Sequence, residues 1–156
     1  MLAMTSDSPR FAAGISHAGV TDMLLQTENQ PMAWRLYNHQ WTRFTGDLAT
    51  PGVKEQLASI SPINKLGNIS RPIAMSHGLD DEIVDVLQTK RFVELARKNR
   101  MAVKTRYFKK EGHILSSWQS RIVFWRFVEK FLADCIGGGA SRPNIIELAA
   151  RFIYLR

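Results

Sequence analysis

Between Val103 and Phe108 the residues Val103, Thr105 and Tyr107 alternate with Lys104, Arg106 and Phe108, the period of two that a strand imposes on its faces. On both sides the period lengthens. Val86, Leu87, Phe92, Val93, Leu95 and Ala96 recur near helical spacing before it, and Ile122, Val123, Trp125, Phe127, Val128, Phe131 and Leu132 after it. These patterns predict helices over 85–100 and 118–133. An apolar run, Arg71-Pro72-Ile73-Ala74-Met75-Ser76, ends in His77-Gly78 and predicts a strand entering a loop. The second half therefore reads strand, loop, helix, strand, loop, helix. That alternation implies a parallel sheet with crossover helices and an α/β fold.

The first half is more broken. Residues 1–8 read as the end of a helix that Pro9 closes, since proline disfavours helical geometry in the residue before it. Phe11-Ala12-Ala13-Gly14-Ile15-Ser16 predicts a short buried strand. From 21 to 58, Trp34, Tyr37, Trp41 and Phe44 lie among polar groups interrupted at Gly46-Asp47 and Pro51-Gly52, a pattern of short helices and loops. Gly137-Gly138-Gly139 ends the last long helix, and Ser141-Arg142-Pro143 marks a boundary. Beyond it Ile145, Leu148, Ala149 and Phe152 share one helical face, and this tail is expected to pack on its own body rather than on a partner or a membrane surface.

Composition narrows the function classes. A length of 156 residues, 45% hydrophobic and 22% charged, suits one globular domain. Every apolar run stops short of the ~20 residues of a spanning helix. The first nine residues lack a basic leader and a long apolar core, so no signal peptide is expected, and a cytoplasmic location is favoured. A single Cys135 offers neither an internal disulfide nor a zinc site, and no metal or cofactor is expected. The net charge of +7 is scattered through helical stretches such as Lys90-Arg91 and Arg97-Lys98-Asn99-Arg100, which reads as a solvated face and not as a nucleic-acid site.

The candidate chemistry lies in two segments, His77-Gly78-Leu79-Asp80-Asp81-Glu82-Ile83-Val84 and Glu111-Gly112-His113. Each follows a predicted strand, and functional residues collect at the carboxyl ends of parallel strands. A carboxylate followed by a histidine is the order of acid and base in an α/β-hydrolase, after a serine in a G-x-S-x-G turn. No serine of this chain stands in that turn. Ser16, in Gly14-Ile15-Ser16-His17-Ala18-Gly19, is one residue off the spacing and on the predicted strand.

Jointly these segments resemble the C-terminal end of the catalytic domain of the prolyl oligopeptidase family of serine peptidases, which includes dipeptidyl peptidases and acylaminoacyl peptidases. The matching residues are His77, Gly78, Asp81 and Val84, then Glu111, Gly112 and His113, with 32 residues from Asp81 to His113. Ser61-Pro62-Ile63-Asn64 with Ile69 and Arg71-Pro72-Ile73 looks like the family's lead into that strand. Pro9 to Gly14 with Gly19-Val20-Thr21-Asp22 looks like the segment after its nucleophile elbow. The resemblance implies Asp81 as triad acid, ahead of Asp80, and His113 as general base, with His77 shaping the loop. It further implies the C-terminal portion of an α/β-hydrolase fold over 1–142, its N-terminal strands and elbow absent, followed by a helical tail over 143–156. Such a chain would act on peptides only together with an upstream serine and would be inactive alone. Its open sheet edge would favour an oligomer or pairing with another chain. Asp85 stands where many members have proline, and Ile83 where proline-specific members carry arginine. A carboxylesterase or dienelactone-hydrolase-like fragment and a non-catalytic partner-binding module are the alternatives.

Overall fold

Burial is greatest in β2 (Ile73–Gly78), whose six residues are all buried, because it is the middle strand of a parallel sheet in the order β1-β2-β3. β1 spans Gly14–His17 and β3 spans Val103–Phe108. In register, Gly14 lies beside Ile73 and Ile73 beside Val103, out to Gly78 beside Phe108. The computed structural model describes residues 1–6 and 8–154.

Helix α1 (Leu2–Ser6) and a 3₁₀ turn at Ser8–Arg10 precede β1, and α2 (Met23–Glu28), α3 (Asn38–Thr45) and α4 (Val53–Ile60), with 3₁₀ turns at Met32–Tyr37 and Pro62–Asn68, make up the first crossover. The second crossover is α5 (Leu87–Lys98), and α6 (Trp118–Ile136) follows β3. Ile73 and Met75 meet Phe92, Val93 and Ala96 of α5, together with Met4 and the turn residues Ile63, Leu66 and Ile69, in the main core. A second cluster joins Phe108 to Leu115, Val123 and Phe124 of the α6 side. Each face of the sheet is thus covered by its own helix, which explains why β2 has no polar alternation.

Two strands differ from the sequence pattern at their limits. β2 begins at Ile73, because Pro72 has no amide to donate to the ladder, and it continues through His77 and Gly78, opposite Tyr107 and Phe108. β1 begins at Gly14, the residue opposite the first position of β2; Phe11, ahead of it, is 40% exposed. α6 runs on to Ile136, where Gly137 at φ 81° ends it.

A polar lock ties the first crossover to the second. Gln88, buried near the start of α5, accepts the amides of Thr21 and Asp22 at 3.0 and 2.7 Å and donates to the Asp22 carbonyl at 2.9 Å. Both the oxygen and the nitrogen of its side-chain amide are thus bonded within the protein, as buried polar groups usually are. The tail forms α7 (Ile145–Tyr154) against α6, with Ala150 fully buried. Asn144 and Glu147 exchange backbone and side-chain bonds of 2.8 and 2.9 Å at its start, the reciprocal arrangement of a capping box.

Candidate functional site

The site forms where β2 and β3 end. Leaving β2, the Leu79 amide bonds to the Phe108 carbonyl at 2.8 Å and the Asp80 amide to the Glu111 carbonyl at 3.0 Å, so the two loops are stitched to each other by their backbones. Gly78 is where they come closest. A Cβ there would lie 2.2 Å from the Gly112 carbonyl oxygen and 2.3 Å from that of Glu111.

The Asp81 side chain is fully buried. Its Oδ1 accepts the amides of Ile83 and Val84, both at 2.9 Å, a local turn that fixes the carboxylate against its own loop. Its Oδ2 faces two imidazoles, His113 Nδ1 at 3.0 Å and His77 Nε2 at 3.1 Å. Burial alone would raise the Asp81 pKa; the Val84 and Ile83 amides and His113 outweigh it and hold the carboxyl below its ordinary value. The acid is therefore ionised at neutral pH and accepts the His113 Nδ1–H, while the His77 Nε2–H goes to the Val84 carbonyl.

The two histidines differ in exposure. His77 is wholly buried, with Nε2 2.8 Å from the Val84 carbonyl and Nδ1 2.7 Å from the Thr89 hydroxyl. It joins β2, the Asp81 loop and α5, as a brace would. His113 is 35% exposed in its side chain. With Nδ1 donating to Asp81, its Nε2 carries the lone pair, and no described residue bonds to it.

The loop that presents His113 is held by Glu111, only 2% exposed. One carboxylate oxygen accepts the Ser116 amide at 2.6 Å and its hydroxyl at 3.0 Å; the other accepts the Ser117 amide at 3.2 Å and the Ser117 hydroxyl. Burial pushes its pKa up, but the bonds from Ser117, Ser120 and Ser116 prevail and lower it from 4.5 to about 2. Ser117 also caps α6, accepting from the Ser120 amide at 3.2 Å, so an anion sits beside the positive end of the helix dipole. Sequence reasoning named Glu111 only as part of a motif. The signal available for its role was Ser117, an N-cap residue just ahead of the helical run.

Asp80, adjacent to Asp81, is exposed. Ser16 lies on β1, and no serine hydroxyl among the described residues bonds to His113. His17 at the end of β1 packs its ring 5.1 Å from Phe124 and bonds through Nδ1 to the Ser76 hydroxyl at 2.8 Å; burial, with His77 and His113 nearby, lowers its pKa. His39 is exposed. Among the described residues no group of three or more His, Cys, Asp or Glu is arranged for a metal ion, and no helix is long and apolar enough to cross a membrane.

Similarity to known proteins agrees with this architecture. The chain is 27% identical over 140 residues to dipeptidyl aminopeptidase BIII of Pseudoxanthomonas mexicana, an alignment covering 90% of this chain and 20% of that protein. It is 24% identical to dipeptidyl peptidase family member 6 of Caenorhabditis elegans, covering 88% of this chain and 19% of that one. The chain thus spans about a fifth of the length of these relatives. Among solved structures, a puromycin-hydrolyzing peptidase of Mycobacterium tuberculosis superposes with a TM-score of 0.77 at 21% identity, over 91% of this chain and 21% of that one. An acylaminoacyl peptidase of Pyrococcus horikoshii superposes at 0.73 with 20% identity, over 94% of this chain and 24% of that one. The parallel sheet and its crossovers are those of an α/β-hydrolase fold. With the profile of the prolyl oligopeptidase family matching residues 1–139, from α1 through both loops to the end of α6, the chain belongs to the prolyl oligopeptidase family.

Proposed function

We propose that this chain is the C-terminal part of a serine peptidase catalytic domain, in which Asp81 is the acid and His113 the general base of peptide-bond hydrolysis. The observation that carries this reading is the 3.0 Å contact of His113 Nδ1 with the buried Asp81 carboxylate, which leaves Nε2 as an open proton acceptor. In the reaction, His113 Nε2 takes the proton of a serine hydroxyl as its oxygen attacks the scissile carbonyl. It returns that proton to the departing amine as the C–N bond breaks, and Asp81 stabilises the imidazolium in between. A water, deprotonated by the same ring, then hydrolyses the acyl ester.

The nucleophile and oxyanion donors belong, in this reading, to sequence upstream of residue 1. The body over 1–142 is the domain's end and 143–156 a tail that packs on it. β1 supports this, since among the described residues it pairs on one side only, and the unpaired edge is a place for a further strand of the domain or for another chain.

Fluorophosphonate labelling tests the assignment. The 156-residue chain, shown to be folded by circular dichroism, is expected to remain unlabelled and without peptidase activity. Labelling of any serine within it would place the nucleophile in this chain and refute the proposal.

A further inference from the structure

The tail helix builds a wall that the family profile does not include, because the match ends at residue 139. Between α7, α6 and β3 it leaves a cleft of about 510 Å³, within the range of small-molecule sites. Ile122, Phe127 and Leu148 give the cleft an apolar lining, and Arg106, Lys130 and Arg151 give it positive charge. Its other cations are already matched: Lys104 pairs with Asp134 at 2.5 Å, and Arg126 binds Glu129 and Ser141. The carboxylate on the wall, Glu147, is engaged with the Asn144 amide at the start of α7.

Arg106 is the residue that makes the cleft more than a groove. It projects from β3 with its Nε–H buried and without a hydrogen-bond partner, and no ion pair engages its guanidinium among the described residues. Arg151 on α7 is likewise without one. Lys130 has Asp134 one helical turn away, which neutralises it only in part. A buried N–H donor left unpaired is destabilising, and a guanidinium's fork matches a carboxylate in two parallel bonds.

We propose that this cleft binds an amphiphilic carboxylate, its anionic head on Arg106 with Lys130 and Arg151 nearby, and its chain against Phe127 and Leu148. The cations select the head and the apolar lining selects the chain, so a neutral or cationic amphiphile of the same length is a poor ligand. Neither Asp81 nor His113 lines the cleft, and the proposal stands apart from the peptidase reading.

Calorimetric titration of the full chain with dodecanoate, below its micellar range, is expected to show saturable binding at one site. Dodecyltrimethylammonium is expected to show none. Arg106→Met, which keeps the stem and removes the fork, is expected to weaken dodecanoate at least about tenfold, with the melting transition of the parent chain as control. Should Arg106→Met fail to fold, Arg151→Gln on the exposed side of α7 decides, with an expected loss of several-fold. Equal binding of both amphiphiles, absence of saturation, or parental affinity in the deciding variant would overturn the proposal.

Discussion

Replacing Gly78 with alanine is expected to unseat the loop that presents His113 and to destabilise the protein by about 3 kcal/mol, at the upper end of overpacking effects. The new methyl would stand 2.2 and 2.3 Å from two backbone carbonyl oxygens, those of Gly112 and Glu111. A flexible side chain could swing aside; a peptide group can move only with its loop. That loop is fixed at both ends, by the ladder bond from Leu79 to Phe108 and by the anchor of Glu111 on Ser116 and Ser117. The strain therefore falls on the contact between His113 and Asp81. Denaturant unfolding of Gly78→Ala gives the loss directly. Gly112→Ala is the control, because a Cβ there finds its nearest neighbour at an ordinary 3.6 Å. Equal stabilities for the two variants would show that Gly78 is not required by space.

The second large effect is expected at Glu111. Removing its carboxylate in Glu111→Ala strands the amides and hydroxyls of Ser116 and Ser117 at the start of α6, at a loss of about 4 kcal/mol summed over donors. Glu111→Gln keeps the shape, loses the charge and is expected to lose about 2 kcal/mol. The same group sets an acid limit. Its folded pKa of about 2 lies below its ordinary 4.5, so the linked stability, about 3 kcal/mol, is complete above 4.5 and drains away as the pH falls toward 2. Asp81, also lowered, adds in the same direction. Urea midpoints measured from pH 6 down to pH 2.5 should fall steeply in the parent chain and more gently in Glu111→Gln. Parallel curves would show that Glu111 gains no stability from its ionised state.

Elements that depend on local periodicity were legible in the sequence. β3 occupies the residues where the alternation lies, and α6 starts at Trp118 as its spacing indicates. β2 was offset by two residues at each end, because a ladder's limits are set by the partner strand and by the missing amide of Pro72, neither of which an apolar run reveals. That offset matters chemically: His77 and Gly78 lie on the strand, where one is a brace and the other a point of close approach. The Gln88 lock reaches Asp22 across 66 residues, and no local pattern announces so distant a partner. At the site, two adjacent carboxylates looked alike in sequence, and only family resemblance preferred Asp81. In the fold the Asp81 side chain is buried beside two imidazoles and Asp80 is exposed.

The role proposed for His113 requires a particular tautomer, since which ring nitrogen carries the proton is fixed by the bond the other makes. Long-range ¹H–¹⁵N correlation spectra of the imidazoles at neutral pH read it directly. His113 is expected as the Nδ1–H form, with its Nδ1 proton shifted downfield by the Asp81 carboxylate and that shift lost in Asp81→Asn. An Nε2–H tautomer, or a His113 spectrum indifferent to Asp81→Asn, would contradict the pairing of acid and base on which the peptidase reading rests.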